Sequence, residues 1–223
     1  DMAVQALHLI DPERSVSVLL DMVRDHPQVR WKKDPDNRFV QLGHWYSISA
    51  LIGHILAEDG HEAAVRPLVR VLKSMSRNRD TSWEPHASVI RSLGRLGDPS
   101  AIPAIRPFLE SNVDVTSRAV EALGRLGDTA SRPRIRELFR TTDYPVLRAK
   151  AAVALARLND TTIAPELLTM LESRDENVRA AAAEALGRVG GIDGTSRLKD
   201  VLKNEEYPWV RDIAEQSLET MRQ

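Results

Sequence analysis

Ser92-Leu93-Gly94-Arg95-Leu96-Gly97-Asp98 returns as Ala122-Leu123-Gly124-Arg125-Leu126-Gly127-Asp128, then as Ala154-Leu155-Ala156-Arg157-Leu158-Asn159-Asp160 and Ala185-Leu186-Gly187-Arg188-Val189-Gly190. With Leu218 as a fifth copy, the equivalent leucines Leu93, Leu123, Leu155, Leu186 and Leu218 are spaced 30, 32, 31 and 32 residues. Self-similarity at that period marks one supersecondary unit repeated along the chain.

Within a unit the apolar residues fall at helical spacing. Val115, Ala119, Leu123 and Leu126 share one face, as do Leu147, Ala151, Leu155 and Leu158, which predicts a first helix. Gly-Asp or Asn-Asp then punctuates. Gly or Asn takes the left-handed conformation that ends a helix, and Asp caps the next one. Pro99 after Asp98, and Pro12 after Asp11, stand where a first-turn proline removes no hydrogen bond. The predicted second helix carries Ile102, Ile105 and Leu109, or Leu167, Met170 and Leu171. It ends at Thr141-Thr142-Asp143 or Ser173-Arg174-Asp175, and Tyr144-Pro145 or Tyr207-Pro208 restarts the cycle.

The N-terminal part repeats the design less regularly. Ala6 to Asp11 ends a first helix, residues 13 to 25 form its partner, and Ile48, Ile52 and Ile55 mark the next first helix, with Trp45 on their face as core filler. Two connections are longer than elsewhere: His26 to Gln41, holding Trp31, Lys32, Lys33 and Arg38, and Lys73 to Pro85, holding Arg77, Arg79 and Trp83. One repeat array over residues 1–223 is expected, irregular over 1–85 and regular over 86–223.

Composition agrees. The chain has 223 residues, 42% hydrophobic but only 4% aromatic, so its core is built of Ala, Leu, Val and Ile, which suits close-packed helices. Charged residues are 28%, yet the formal net charge is −1, so no global field favours nucleic acid or an anionic membrane. Absence of cysteine excludes disulfides, thiolate metal sites and a cysteine nucleophile within these residues. No apolar run approaches the roughly 18 residues of a membrane span. Asp1-Met2-Ala3-Val4 reads as the interior of a helix, so the chain is expected to be a piece of a longer protein. Its compartment is open, with the cytoplasm favoured.

A helix pair of this period and consensus resembles the short HEAT-like repeats first associated with phycobilin lyases, which also occur in bacterial scaffold proteins. The resemblance covers essentially the whole chain. It implies an all-α fold, a right-handed α-solenoid of about six to seven antiparallel helix pairs. Tetratricopeptide and ankyrin signatures are missing. The resemblance also implies a structural charge ladder: Arg148, Arg179 and Arg211, each early in a first helix, are expected to reach the Asp of a nearby turn, Asp128, Asp160 or Asp193.

Arg95, Arg125, Arg157 and Arg188, with His54 in a matching place, recur at one register position. Arg125 lies about 160° around the helix from Leu123, and Glu121–Arg125 and Glu184–Arg188 are i,i+4 pairs, which predicts a solvated outer face rather than an anion-binding ladder. The resemblance also implies that the second helices line the concave face that solenoids use for partners. Arg70, Arg106, Arg136 and Lys199 occupy equivalent flank positions there, with Lys73, Arg134, Arg140, Arg197 and Lys203 nearby and Glu166 and Glu172 interrupting them. Two readings stand, a mixed solvated face and a basic groove for an acidic segment. Trp31 with Lys32 and Lys33, and Trp83 with Arg77, have the composition of an interface anchor, and equally that of a tryptophan pinning its own loop.

Catalytic and metal motifs are wanting. The deoxyhypusine hydroxylases, which resemble this fold, bind iron through His-Glu dyads; here the helical positions read Arg118-Ala119, Lys150-Ala151 and Ala181-Ala182, and His61-Glu62 falls in a turn. The histidines His8, His26, His44, His54, His61 and His86 include no i,i+4 pair, so solvated histidines are expected, with no metal and no cofactor. Gly94 to Gly97 follows a helix and lacks the Lys-Ser/Thr ending of a phosphate loop. The expected function is therefore a non-catalytic protein-binding or scaffolding module. The alternatives are a lyase-like enzyme or subunit resembling the phycobilin lyases, and a duplex binder resembling the HEAT-like DNA glycosylases, against which the near-zero net charge counts.

Overall fold

The computed structural model describes residues 62–76 and 83–222. All regular structure among them is helical. In order come α1 (Val65–Ser76), α2 (Trp83–Leu96), α3 (Ile102–Ile105), α4 (Val113–Arg125), α5 (Arg132–Thr141), α6 (Pro145–Arg157), α7 (Ala164–Met170), α8 (Glu176–Val189), α9 (Ile192–Asn204) and α10 (Pro208–Thr220). α2, α4, α6, α8 and α10 are the first helices of successive repeats. The fold class is the α-solenoid of helix-pair repeats. The readings made on residues 1–61, including Trp31, Lys32, Lys33 and Trp45, and on residues 77–82, including Arg77, lie outside the described residues.

The chain divides into two compact units, Asp1–Ala122 and Leu123–Gln223, with the division inside α4. In the first unit Leu68, Leu72, Ile90, Leu93 and Ile105 are fully buried. Each contributes about 1.5–3 kcal/mol relative to exposure. His86 is buried too, its ring 5.6 Å from that of Phe108, so the expectation of a solvated histidine fails there. The connection read as Lys73 to Pro85 is shorter than expected, because α1 continues to Ser76 and α2 already begins at Trp83.

The second helix after Asp98 is also not one helix. It is a 3-10 turn Pro99–Ala101, the single α-helical turn of α3, and a 3-10 stretch Arg106–Glu110. Pro99, Pro103 and Pro107 recur every fourth residue, so Pro103 and Pro107 cannot donate the α-helical bonds to the carbonyls four residues before them. The backbone tightens instead, with Ile102 N–H donating to the Pro99 carbonyl.

In the second unit α6 and α8 are buried nearly all round. Leu147, Ala149, Ala151, Ala152, Ala154, Leu155 and Ala156 leave α6 little free surface, packed as it is against α5 and α8, and α8 in turn lies between α6 and α10. Small residues let these neighbours approach. A Cβ on Gly124 would lie 2.7 Å from the Cα and Cβ of Ala154, and one on Gly187 would lie 2.6 Å from the Cβ of Ser217. The Leu-Gly-Arg signature is thus a helix-contact signature.

The turn chemistry follows the sequence. Gly127 has φ 72° and Asn159 φ 58°, the left-handed region that ends a helix. The carboxylates of Asp98 and Asp160 accept from the Ser100 and Thr162 N–H groups at 2.8 and 3.2 Å. Asp128 departs from the pattern, accepting from the Ser131 hydroxyl and making no such cap. After α8 the turn is only Gly190-Gly191, since α9 starts at Ile192; Asp193 belongs to a helical first turn and not to the turn itself.

Candidate functional site

The second-helix face of the second unit is wired by ion pairs. Arg136 on α5 donates to Asp160 from Nε at 2.8 Å and approaches from Nη2 at 2.6 Å. Its guanidinium keeps partial access to water, while the Asp160 side chain is 1% exposed. Burial alone would raise the Asp160 pKa. Hydrogen bonds from Thr162 and Arg136 outweigh it and hold the carboxyl below its ordinary value. Arg140 donates to Glu166 at 3.0 Å, Arg197 to Glu172, and Arg134 pairs with Glu137 at 2.7 Å. The acids that interrupt the basic stripe in sequence are therefore its partners in space. Lys199 and Lys203 are exposed on α9.

In the first unit, Arg70 on α1 and Arg106 at the start of the 3-10 stretch Arg106–Glu110 are exposed. Trp83 is the first residue of α2, a helical position and not part of an irregular loop.

The arginines early in the first helices do not reach the turn aspartates. Each donates to the carbonyl six residues before it: Arg148 to Thr142 at 2.7 Å, Arg179 to Ser173 at 2.8 Å and Arg211 to Glu205 at 3.0 Å. Carbonyls at the end of a helix have no intrahelical donor and carry the negative end of its dipole, so a cation held there satisfies both needs. In place of the ladder expected from Asp128, Asp160 and Asp193, Arg148 and Arg211 cap the C-termini of α5 and α9, and Arg179 holds the Ser173 carbonyl in the turn after α7. Arg179 alone adds a bidentate pair with Glu205, Nε to Oε2 at 2.7 Å and Nη2 to Oε1 at 2.8 Å, on side chains only 15% and 4% exposed. The Arg179 hydrogen bond, outweighing burial, lowers the Glu205 pKa; the reciprocal bond raises that of Arg179.

On the opposite face Arg95, Arg125 and Arg188 are exposed, while Arg157 is half-buried and donates to Glu184 on α8 at 2.8 Å. That bond joins neighbouring repeats, where the sequence predicted a pair within α8.

Four large apolar side chains stand in water at the N-termini of α6 and α10: Tyr144, Val146, Tyr207 and Trp209. The cause is local. Pro145 and Pro208 occupy the first helical position, and a residue before proline is driven out of the α region, so Tyr144 and Tyr207 are extended at φ −88°, ψ 112° and φ −85°, ψ 116°. From sequence alone Tyr-Pro marks only the restart of the repeat, although that dipeptide carries the signal. The Arg179 guanidinium lies 5.8 Å from the Tyr207 ring centroid. Beside it opens a groove of about 460 Å³ lined by Glu172, Arg179, Arg197, Asp200, Glu205 and Glu206, among others.

Among the described residues no cluster of three or more His, Asp or Glu is placed to hold a metal ion, and no helix is long and apolar enough to cross a membrane.

Structural comparison places the chain beside a chain of the complex of CpcE and CpcF of phycocyanin lyase from Nostoc sp., with 18% identity and a TM-score of 0.58 over 94% of this chain and 82% of that one. An engineered protein matches with 17% identity and a TM-score of 0.51 over 93% of this chain and 96% of that one. At these identities the likeness is one of fold. No curated protein sequence matches. A family model for HEAT repeats matches residues 75–156 and 144–219, most of the chain, and it takes in each copy of the Leu-Gly-Arg signature up to Leu218. The chain belongs to the family of HEAT-repeat proteins.

Proposed function

We propose that the chain is a non-catalytic protein-interaction or scaffolding module that takes its partner on the second-helix face. The observation that carries this reading is the division of labour within the repeat. The signature residues are consumed by helix contacts, turns and caps, whereas Arg70 and Lys199 at one register of the second helices are exposed. Arg106 and Arg136 share that register but are already engaged within the chain, Arg136 with Asp160, so the partner would meet Arg136 as half of an ion pair. Trp31, Lys32, Lys33 and Arg77, in the long connections read from the sequence, and Trp83, at the start of α2, are proposed to extend that surface. Support also comes from the Nostoc neighbour, which is one chain of a two-protein complex.

The test is a pull-down comparing the chain with a variant carrying Arg70→Glu, Arg106→Glu and Lys199→Glu, and with a second carrying Trp31→Ala and Trp83→Ala. Loss of a partner retained by the parent chain supports the assignment. Retention of every partner by both variants defeats it. Arg136 is left untouched, because a glutamate there would face the buried Asp160 carboxylate. A second reading, a lyase-like subunit, draws on the shared fold with the phycocyanin lyase chain. Co-expression with a bilin and an apo-antenna subunit tests it, a coloured adduct being its required result.

A further inference from the structure

The edge of the second unit at which each second helix hands over to the next first helix has its own composition. Tyr144 and Val146 stand out from the start of α6, Tyr207 and Trp209 from the start of α10, with fractional exposures of 59, 61, 43 and 39%. Scattered apolar residues on a surface need no explanation, but these four occupy the same register of two first helices, where proline holds the preceding tyrosine outward.

Arg148, Arg179 and Arg211 are turned inward, because they spend their guanidinium groups on the carbonyls of Thr142, Ser173 and Glu205. The acids point the other way: Asp143, Glu206 and Asp212 are exposed and Glu176 is half-exposed. Arg174 and Lys203 are exposed cations on this edge, and Arg140, also exposed, is paired with Glu166. The acidic character continues into the adjoining groove, where Arg179 and Arg197 are matched by Glu205 and Glu172 while Asp200 and Glu206 add further carboxylates.

Aromatic rings with carboxylates beside them form a surface complementary to guanidinium and ammonium groups, which stack on a ring face and pair with an acid at the same time. The arrangement of Arg179 against both Tyr207 and Glu205 is an internal instance of that contact. We propose that this edge docks an extended cationic segment of a partner protein, with arginine or lysine side chains seated on Tyr144, Tyr207 and Trp209 and paired with Asp143, Glu176 and Glu206. Helices pack about 10 Å apart, so the two aromatic stations, two repeats from one another, are bridged by roughly six or seven residues of extended chain. This surface is separate from the second-helix cations, although it rests on the reading of the chain as a protein-binding module.

The experiment is a fluorescence-anisotropy titration of the whole 223-residue chain with three labelled twelve-residue probes, repeats of Arg-Pro-Gly, Glu-Pro-Gly and Ser-Pro-Gly. The expected result is binding of the arginine probe alone, weakened by added salt. Tyr144→Ser/Tyr207→Ser/Trp209→Ser should reduce that affinity about tenfold or more, as should Asp143→Lys/Glu206→Lys. All five positions are exposed, and circular dichroism confirms that each variant keeps the parent's helix content. Tighter binding of the glutamate probe, no binding of the arginine probe, or undiminished binding by the aromatic variant would each overturn the proposal. The Arg70, Arg106 and Lys199 pull-down reads a different surface, so failure of one assignment is distinguishable from failure of the other.

Discussion

Arg179 and Glu205, twenty-six residues apart in the chain, meet in a two-pronged ion pair that closes the C-terminus of α9 against α8. Both side chains are largely withdrawn from water, and Arg179 also serves the Ser173 carbonyl. Removing one partner of a buried pair strands the other. Glu205→Ala should therefore cost on the order of 3 kcal/mol, read as a lowered midpoint in chemical denaturation followed by circular dichroism.

The same pair sets a pH dependence. Glu205 titrates below its ordinary value when folded, so its contribution is complete above the unfolded value of about 4.3 and disappears as pH falls through the folded value. Asp160 has the same sign, since its folded pKa is also lowered. Stability should decline in the acid limb below roughly pH 5, and Glu205→Gln should flatten that decline in denaturation curves taken at stepped pH.

Arg136 and Asp160 should be energetically coupled. The acid is the buried member, so Arg136→Ala leaves a carboxylate with only Thr162 to stabilise it, whereas Asp160→Asn leaves an arginine able to turn to water. A double-mutant cycle should return a coupling of roughly 0.5–3 kcal/mol, with Arg136→Ala accounting for more than an exposed arginine would.

Two glycine-to-alanine substitutions should move stability in opposite directions. At Gly124 the new Cβ would meet Ala154 backbone and side chain at 2.7 Å, and overpacking of that kind costs about 1–3 kcal/mol, more than the helix propensity gained. At Gly194 the first contact is the end of the Leu186 side chain at 3.4 Å, so the gain of about 0.5 kcal/mol should survive. Thermal melts of the two variants against the parent decide the signs.

What could be read from the sequence was local. Asn159 and Gly127 end their helices, and Asp98 caps the next, because those events involve residues two or three apart whose chemistry admits few alternatives. Leu123 and Leu155 are buried because a 3.6-residue period leaves them no other face. What escaped depends on distance across the fold. Arg136 looks like surface charge until Asp160 arrives twenty-four residues later, and the reach of Arg148 to Thr142 depends on how two antiparallel helices pack around the turn between them. Tyr144 escaped for another reason: Tyr-Pro reads as the restart of the repeat, and only the backbone before Pro145 sends the ring outward. The candidate surface was accordingly legible as a register of residue types and not as an arrangement of charges.

The cross-repeat ion pairs make the order of the repeats non-interchangeable. The position equivalent to Asp160 one repeat later is Gly191, and the position equivalent to Glu166 is Arg197. Excising residues 144–174 would preserve the periodic apolar pattern, yet Arg136 would arrive opposite a glycine and Arg140 opposite another arginine. Copies that look alike in their signature thus carry a directional code in their flanks, a polarity that tells each repeat which neighbour is its own.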